Sequence, residues 1–407
     1  MTNTCGCPAP PAPVPGVVET SRLYGDGVMT PADLVETILR RPLEDGSFIR
    51  VTADEALRDA TRATSRLHSG HSFGPLDGLS VAIKDCIDVA GVCTTNGSLV
   101  AKSTTPASAD AGIVRMLRQQ GAVVVGKTNL SELAFSGIGL NPHFGSPVNP
   151  LSRSRVTGGS SSGSAAAVAA GHVALAVGTD TSGSVRVPAA FCGIVGYKAS
   201  EGRFPLDGIR PLSPTLDSVG ILTRTVADLR TAMDTLAPSP VRSGRVRPPD
   251  RTVLVVPDDE IVTACEPDVR AWFTQQVDEL DRLADVVVEV RRMPVLAETQ
   301  ALMDDHGTVV AADAYALYGS LLLGPTADRL DAAVARRLRT ASSLKSGIEV
   351  VRRSMPTLRN RLAHELDGAL LLCPTVRHRP PLVTEVTAGA AAFDEINAQT
   401  LRTTMLL

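Results

Sequence analysis

The sequence predicts an α/β fold, a sheet of buried strands wound with helices. Short apolar runs at residues 79–83, 122–125, 252–257 and 285–290 alternate with helical patterns at 110–120, 225–236 and 268–283. That order builds βαβ units and a doubly wound sheet. A second observation is the stretch 158–198. There, two serine- and glycine-rich loops, 158–164 and 178–184, bracket an alanine-rich helix former at 165–170 and an apolar strand at 172–177. The second loop leads through 185–191 into a buried-looking strand at 193–197.

Residues 1–16 hold five prolines and read as a disordered leader. Residues 17–407 are expected to form a single domain. Thr30, Pro31 and Asp33 form a capping pattern ahead of Leu34, Ile38 and Leu39, so a helix covers 30–40. A longer helix rich in Ala and Arg covers 52–68. The strand 79–83 ends at Lys84, and an amphipathic helix at 110–120 precedes a strand at 122–125. Residues 126–133 are expected to turn into another helix. Past the two loops, 202–220 is a Pro- and Gly-rich loop, and 238–250 a polar, proline-containing linker. The arginine-rich helices within 327–354 read as solvated amphipathic faces. Residues 370–374, L-L-L-C-P, read as a buried strand.

A chain of 407 residues can fill two or three average domains or one large α/β enzyme. With 43% hydrophobic and 20% charged residues it has the composition of an ordinary globular protein. A net charge of −3 points to neither nucleic acid nor a membrane surface. Seven scattered cysteines, Cys5, Cys7, Cys86, Cys93, Cys192, Cys265 and Cys373, argue against a disulfide framework. Cys5 and Cys7 lack a second pair or a histidine cluster to complete a zinc site. The N-terminus has no apolar signal core, and no apolar run reaches the ~18 residues of a membrane span. The expectation is a soluble cytoplasmic protein.

Serine-glycine tracts often serve as linkers, but a linker is not followed at once by patterned apolar segments on both sides of one helix. Phosphate cradling fits no better, since 158–164 lacks the G-x-x-x-x-G-K-[ST] spacing and its lysine. What remains is a pair of loops that set hydroxyls beside backbone N–H donors, because small residues let the main chain approach a ligand. Residues 159–163 also match the G-x-S-x-G turn with Ser161 at its centre. No apolar strand runs straight into it, and no histidine with an acidic partner is legible downstream, which weighs against a Ser-His-Asp hydrolase. His143, in N-P-H-F-G-S-P, is read as a structural loop histidine. A lone lysine such as Lys84 is ordinarily a solvated charge, yet Val81, Ala82, Ile83 and Ile87 point to burial. Burial lowers a lysine's pKa, and a neutral buried lysine is a competent general base.

The whole stretch 158–198 resembles the signature of the amidase signature family, G-G-S-S-G-G-S followed by G-T-D-T-G-G-S-[IV]-R-x-P-A. Ser162 and Ser182 stand where glycine is common, and neither position is catalytic in the family. Residues 74–91 resemble the family's P-L-x-G-x-P-x-x-x-K-D pattern, with Ser80 in place of proline. Lys127 is similar to a common family position that is not catalytic. The resemblance implies a large mixed twisted sheet covered by helices on both faces. It implies Ser184 as nucleophile, Ser160 as bridging serine and Lys84 as base. The N–H groups of Thr181, Ser182, Gly183 and Ser184 would form the oxyanion hole. A cis peptide would join Gly159 to Ser160, Ser161 and Asp180 would orient the site, and Arg186 would anchor the loop.

The implied activity is hydrolysis of a small carboxamide or ureide to an acid and ammonia through an acyl-enzyme, with no metal or cofactor. The serine at the third position of the first loop's serine run, and P-L-S-P-T-L-D, are similar to members acting on biuret-like and ureido substrates. The partner is then a small-molecule amide, with no nucleic acid or membrane, and a homodimer is the one assembly entertained. A second reading is the glutaminase subunit of the tRNA-dependent amidotransferase, which hands ammonia to a partner protein. A third is a catalytically silent scaffold. It is raised by residues 397–407, which resemble the helix that in this family precedes further strands and a terminal helix. On that resemblance the domain is expected to lack its last part, which would complete the sheet and help wall the pocket.

Overall fold

Residues 81–83, 123–125 and 175–177 are runs of branched or small apolar side chains, the composition of strands covered on both faces. The computed structural model, which describes residues 13–100, 105–236, 251–344 and 347–406, makes all three runs the middle of a sheet. Its strands are β1 (Phe48–Val51), β2 (Ser80–Lys84), β3 (Val123–Thr128), β4 (Leu175–Asp180), β5 (Val195–Lys198) and β6 (Ser218–Thr223), in the order β1-β3-β2-β4-β6-β5. β2 runs parallel to both β3 and β4, while β1, β5 and β6 make antiparallel pairs. The mixed sheet is therefore present. Three more strands, β7 (Thr252–Pro257), β8 (Val286–Arg291) and β9 (Leu370–Leu371), form a separate all-parallel sheet in the order β8-β7-β9.

Helices pack onto this frame. The helix Ser162–Ala169 lies against β2, β3, β4 and β6, with Ala165, Ala166 and Ala167 fully buried. Small side chains allow the close approach: a Cβ at Gly163 would meet Ser47 O at 2.3 Å and Asn129 N at 2.5 Å. The helix Pro31–Leu39 starts with the expected capping box. Thr30 Oγ1 accepts the Asp33 N–H, and the Asp33 carboxylate accepts the Thr30 N–H, a device that stabilises a helix by about 1 kcal/mol.

Several elements differ from the sequence reading, each for a local reason. Residues 126–133 continue β3 to Thr128 and then make only a 3₁₀ turn, Glu132–Ala134, because Leu133 adopts φ +55°. The strand expected at 172–177 is shifted to Leu175–Asp180, since Gly171 turns at φ +68° immediately before. β5 is half-buried rather than buried because it is an edge, paired with β6 alone. The strand expected at 370–374 shrinks to β9, also an edge, with Leu370 59% exposed. Helices Val17–Gly25, Pro294–His306 and Val309–Tyr318 are not among the expected elements, although Pro294 opens one and the Thr308 side chain caps another by accepting the Ala311 N–H. Residues 1–12 of the leader, with Cys5 and Cys7, lie outside the described residues, as does the whole 238–250 linker. Val14 is buried, and its N–H donates to Gly171 O at 2.9 Å. Among the described residues no helix is long and apolar enough to cross a membrane.

Candidate active site

Because β2 and β4 are parallel neighbours, their carboxyl ends meet at one edge of the sheet, where open α/β sheets hold their ligands. Lys84 is the last residue of β2, and Thr179 and Asp180 close β4. Lys84 is fully buried. Its Nζ lies 2.8 Å from Ser160 Oγ, 2.8 Å from Thr179 Oγ1 and 3.3 Å from Thr179 O. Burial drives the lysine pKa down, and Cys86, Asp180 and Asp217 only partly oppose that.

Ser160 is delivered by a cis peptide after Gly159. A side chain at 159 has no room, since a Cβ would sit 2.7 Å from Gly139 N and 2.8 Å from Ser131 Oγ. The Gly159 N–H donates to Gly137 O at 2.8 Å, and Ser160 O accepts from the Ser131 N–H at 3.2 Å. Ser184 lies four residues beyond β4. Its carbonyl accepts the Ser161 N–H at 3.0 Å, which ties the two loops together, and Ser161 Oγ donates to Thr179 O at 3.3 Å. The Ser184 hydroxyl makes no hydrogen bond to another described residue. Lys84 and Ser160 are thus in contact, and the loop that carries Ser184 is tied to the loop that carries Ser160 and Ser161 through the main chain.

Asp180 organises the turn 181–184. It is fully buried and accepts N–H bonds from Gly183 (2.8 Å), Val185 (3.1 Å) and Arg186 (3.2 Å), and two from the Arg186 guanidinium at 3.0 Å. Burial pushes its carboxyl up, but the Arg186 charge and these bonds outweigh it and hold the pKa below the usual range. One expected donor is redirected as a result. The Gly183 N–H points into Asp180, with Gly183 at φ +126°, so it does not face a substrate. The N–H groups of Thr181, Ser182 and Ser184 make no bond to another described residue. From the far side Thr181 Oγ1 donates to Asp217 Oδ1 at 2.6 Å. Burial raises the Asp217 carboxyl, partly offset by Thr181 and by the Ser213 and Leu212 N–H groups.

Thr179, Ser131 and Asp217 were not read from the sequence as site residues. Thr179 had a signal, because strand side chains alternate and the residue before Asp180 must face the opposite way, toward Lys84. His143 does have a carboxylate partner: its Nε2 is 3.0 Å from Glu132 Oε1. Glu132 is buried, also accepts from Ser98 Oγ at 2.7 Å and the Asp331 N–H at 2.6 Å, and has its pKa raised by that burial. The 3₁₀ turn hid this proximity. Lys127 is a buried ion-pair partner of Asp85, at 2.6 Å. Among the arginines read as solvated, Arg336 pairs with Asp394, while Arg337 lies over the Phe135 ring at 4.3 Å. Arg337 makes no ion pair or hydrogen bond to another described residue. Burial lowers its pKa to about 10, against a smaller opposing pull from the Asp394 charge.

A cavity of about 210 Å³ lies behind the turn, lined by Thr181, Ser182, Asp217, Leu296, Met355 and Met405 among others. Its lining includes Thr181, Ser182 and Arg186 of the turn but none of Lys84, Ser160 and Ser184.

A buried lysine on a serine carried by a cis peptide, with a second serine among free N–H donors, defines a site for acyl-transfer chemistry on an α/β scaffold. The family model described as Amidase matches residues 33–403, and the chain belongs to that family. It is 36% identical over 362 residues to a 2-amino-5-chloromuconic acid deaminase of Comamonas testosteroni, covering 85% of this chain and 75% of that one. It is 37% identical over 283 residues to a glutamyl-tRNA(Gln) amidotransferase subunit of Chloroflexus aurantiacus. That match covers 66% of this chain and 57% of the relative, so the chain spans little more than half the amidotransferase protein's length. A crystal structure of an amidase superposes with a TM-score of 0.82 at 29% identity, covering 96% of this chain and 90% of the other.

Proposed function

We propose that the protein hydrolyses the C–N bond of a small carboxamide or ureide through an acyl-enzyme on Ser184. The observation that carries this reading is the 2.8 Å contact between a fully buried Lys84 Nζ and Ser160 Oγ. Neutral Lys84 takes the Ser160 proton as Ser160 takes that of Ser184, and Ser184 Oγ bonds to the substrate carbonyl carbon. The N–H groups of Thr181, Ser182 and Ser184 stabilise the resulting oxyanion. Return of the proton through Ser160 to the nitrogen breaks the C–N bond and releases ammonia. Water then repeats the sequence on the ester and frees the acid.

The acyl part of the substrate carries a negative charge in this reading. Arg337 supports it, as a cation with no carboxylate in ion-pair contact, stacked on Phe135. Phe135 lies two residues before Gly137, whose carbonyl binds the Gly159 N–H. The related deaminase is named for an acid substrate. Ammonia release from a panel of neutral and acidic amides and ureides by the purified chain tests the proposal. The amidotransferase relatives favour a second reading, a glutaminase that feeds a partner protein. Ammonia from glutamine only when a partner is added would support it.

A further inference from the structure

Thr404 is 222 positions away from Ser182 in sequence, yet its Oγ1 donates to Ser182 O at 2.6 Å and is buried. The same hydroxyl lies 3.2 Å from Leu401 O, so its one proton is directed to the shorter contact. The Ser182 carbonyl and the Gly183 N–H belong to one peptide plane. Thr404 holds that plane at its oxygen, and Asp180 holds it at its N–H, at 2.8 Å. Arg186 closes the circuit, since its guanidinium binds Asp180 at 3.0 Å and donates to Thr404 O at 3.3 Å. The Thr404 side chain also occupies the space beside Gly183, where an added Cβ would fall 2.2 Å from Oγ1.

A peptide plane fixed at both ends cannot rotate, and the planes on either side of it carry the Ser182 and Ser184 N–H groups. We propose that Thr404 is a positioning residue: its hydroxyl sets the direction of the Ser182 and Ser184 N–H donors toward the oxyanion. This rests on the acyl-enzyme reading above. Asp180 and Arg186 hold the turn from its inner side, but neither of them touches the Ser182 carbonyl. Thr404 alone among the described side chains does so.

A small alkyl fluorophosphonate supplies the probe. Attack forms a Ser184 Oγ–P bond, breaks P–F with release of fluoride, sends the proton through Ser160 to Lys84, and leaves a phosphoryl oxygen where the oxyanion would sit. The second-order rate of phosphonylation is measured for the wild type, Thr404→Ser, Thr404→Val and Thr404→Ala, per folded molecule as judged by thermal melting. Thr404→Ser keeps the donor and should react within about twofold of wild type, while Val and Ala should be slower by about tenfold or more, a fraction of what losing an oxyanion donor outright costs. The midpoint of the pH–rate profile should not move, because Thr404 acts on donors and not on the base. Thr404→Ala adds no bulk and carries the test if Thr404→Val does not fold. Wild-type rates in both Val and Ala, or a Ser variant as slow as they are, overturn the assignment of Thr404. A wild-type protein that is not phosphonylated on Ser184 overturns the acyl-enzyme reading, and the role of Thr404 falls with it.

Discussion

Lys84 Nζ and Ser160 Oγ stand 2.8 Å apart at the carboxyl edge of the sheet, out of contact with water. The pairing makes sense only if the lysine can shed its proton, and burial is what lowers its pKa.

The pH dependence follows with its sign. The neutral amine is the active form, so the rate should rise with pH, with a midpoint below the ~10.4 of an ordinary lysine. Folding stability should rise over the same window. The unfolded chain binds the Lys84 proton there and the folded chain does not, so ∂ΔG/∂pH is positive between the lowered folded pKa and the unfolded one. Lys84→Ala should keep the fold and lose most turnover. Near-normal turnover of Lys84→Ala across neutral and alkaline pH would remove the lysine from the mechanism. Rates measured on both proteins from neutral to alkaline pH check this.

Asp180→Asn should be among the most damaging single changes at the turn. It leaves Arg186 without its carboxylate, and breaking a buried pair of this kind costs about 3–5 kcal/mol. The intact carboxylate has a depressed folded pKa, so its contribution is present above the unfolded value of about 3.9. It is lost as pH falls through the folded value. Thermal melting of wild type and variant at neutral and acidic pH should therefore converge toward low pH.

Gly183→Ala tests the turn from another side. An L-residue at φ +126° is strained by about 1–3 kcal/mol, and the new Cβ would meet Thr404 Oγ1 at 2.2 Å. The variant should fold, melt lower and turn over at least about tenfold more slowly, as expected when oxyanion donors are displaced. Melting and steady-state rates measured together separate the two effects.

Arg337→Met keeps the stack on Phe135 and removes the charge. KM for an acidic amide should rise by about tenfold, the worth of ~1.4 kcal/mol, with kcat on a neutral amide unchanged. Equal effects on both substrates would show that Arg337 acts through packing alone.

How much of this was legible in the sequence depended on the range of the contact. β7 was read at its observed bounds, 252–257, because a continuous apolar run between polar flanks is a local signal. Lys84, Ser160 and Ser184 were named from two motifs. The burial of Lys84 could also be read from its apolar neighbours. Edge strands misled the reading, since β5 and β9 are as apolar as inner strands and only pairing exposes them. Arg337 had the look of a solvated helix arginine until Phe135 was brought beneath it. The commitment of the Gly183 N–H to Asp180 and the grip of Thr404 on Ser182 come from geometry that no spacing in the chain records.

The central claim is that Ser184 carries the acyl group. Turnover of p-nitrophenyl acetate, quenched in acid and mapped by peptide mass spectrometry, tests it most directly. An acetyl group on the Ser184 peptide, absent in Ser184→Ala and strongly reduced in Lys84→Ala, is the predicted result. Acetylation of a different residue by a protein in turnover, with the Ser184 peptide unmodified, would contradict it.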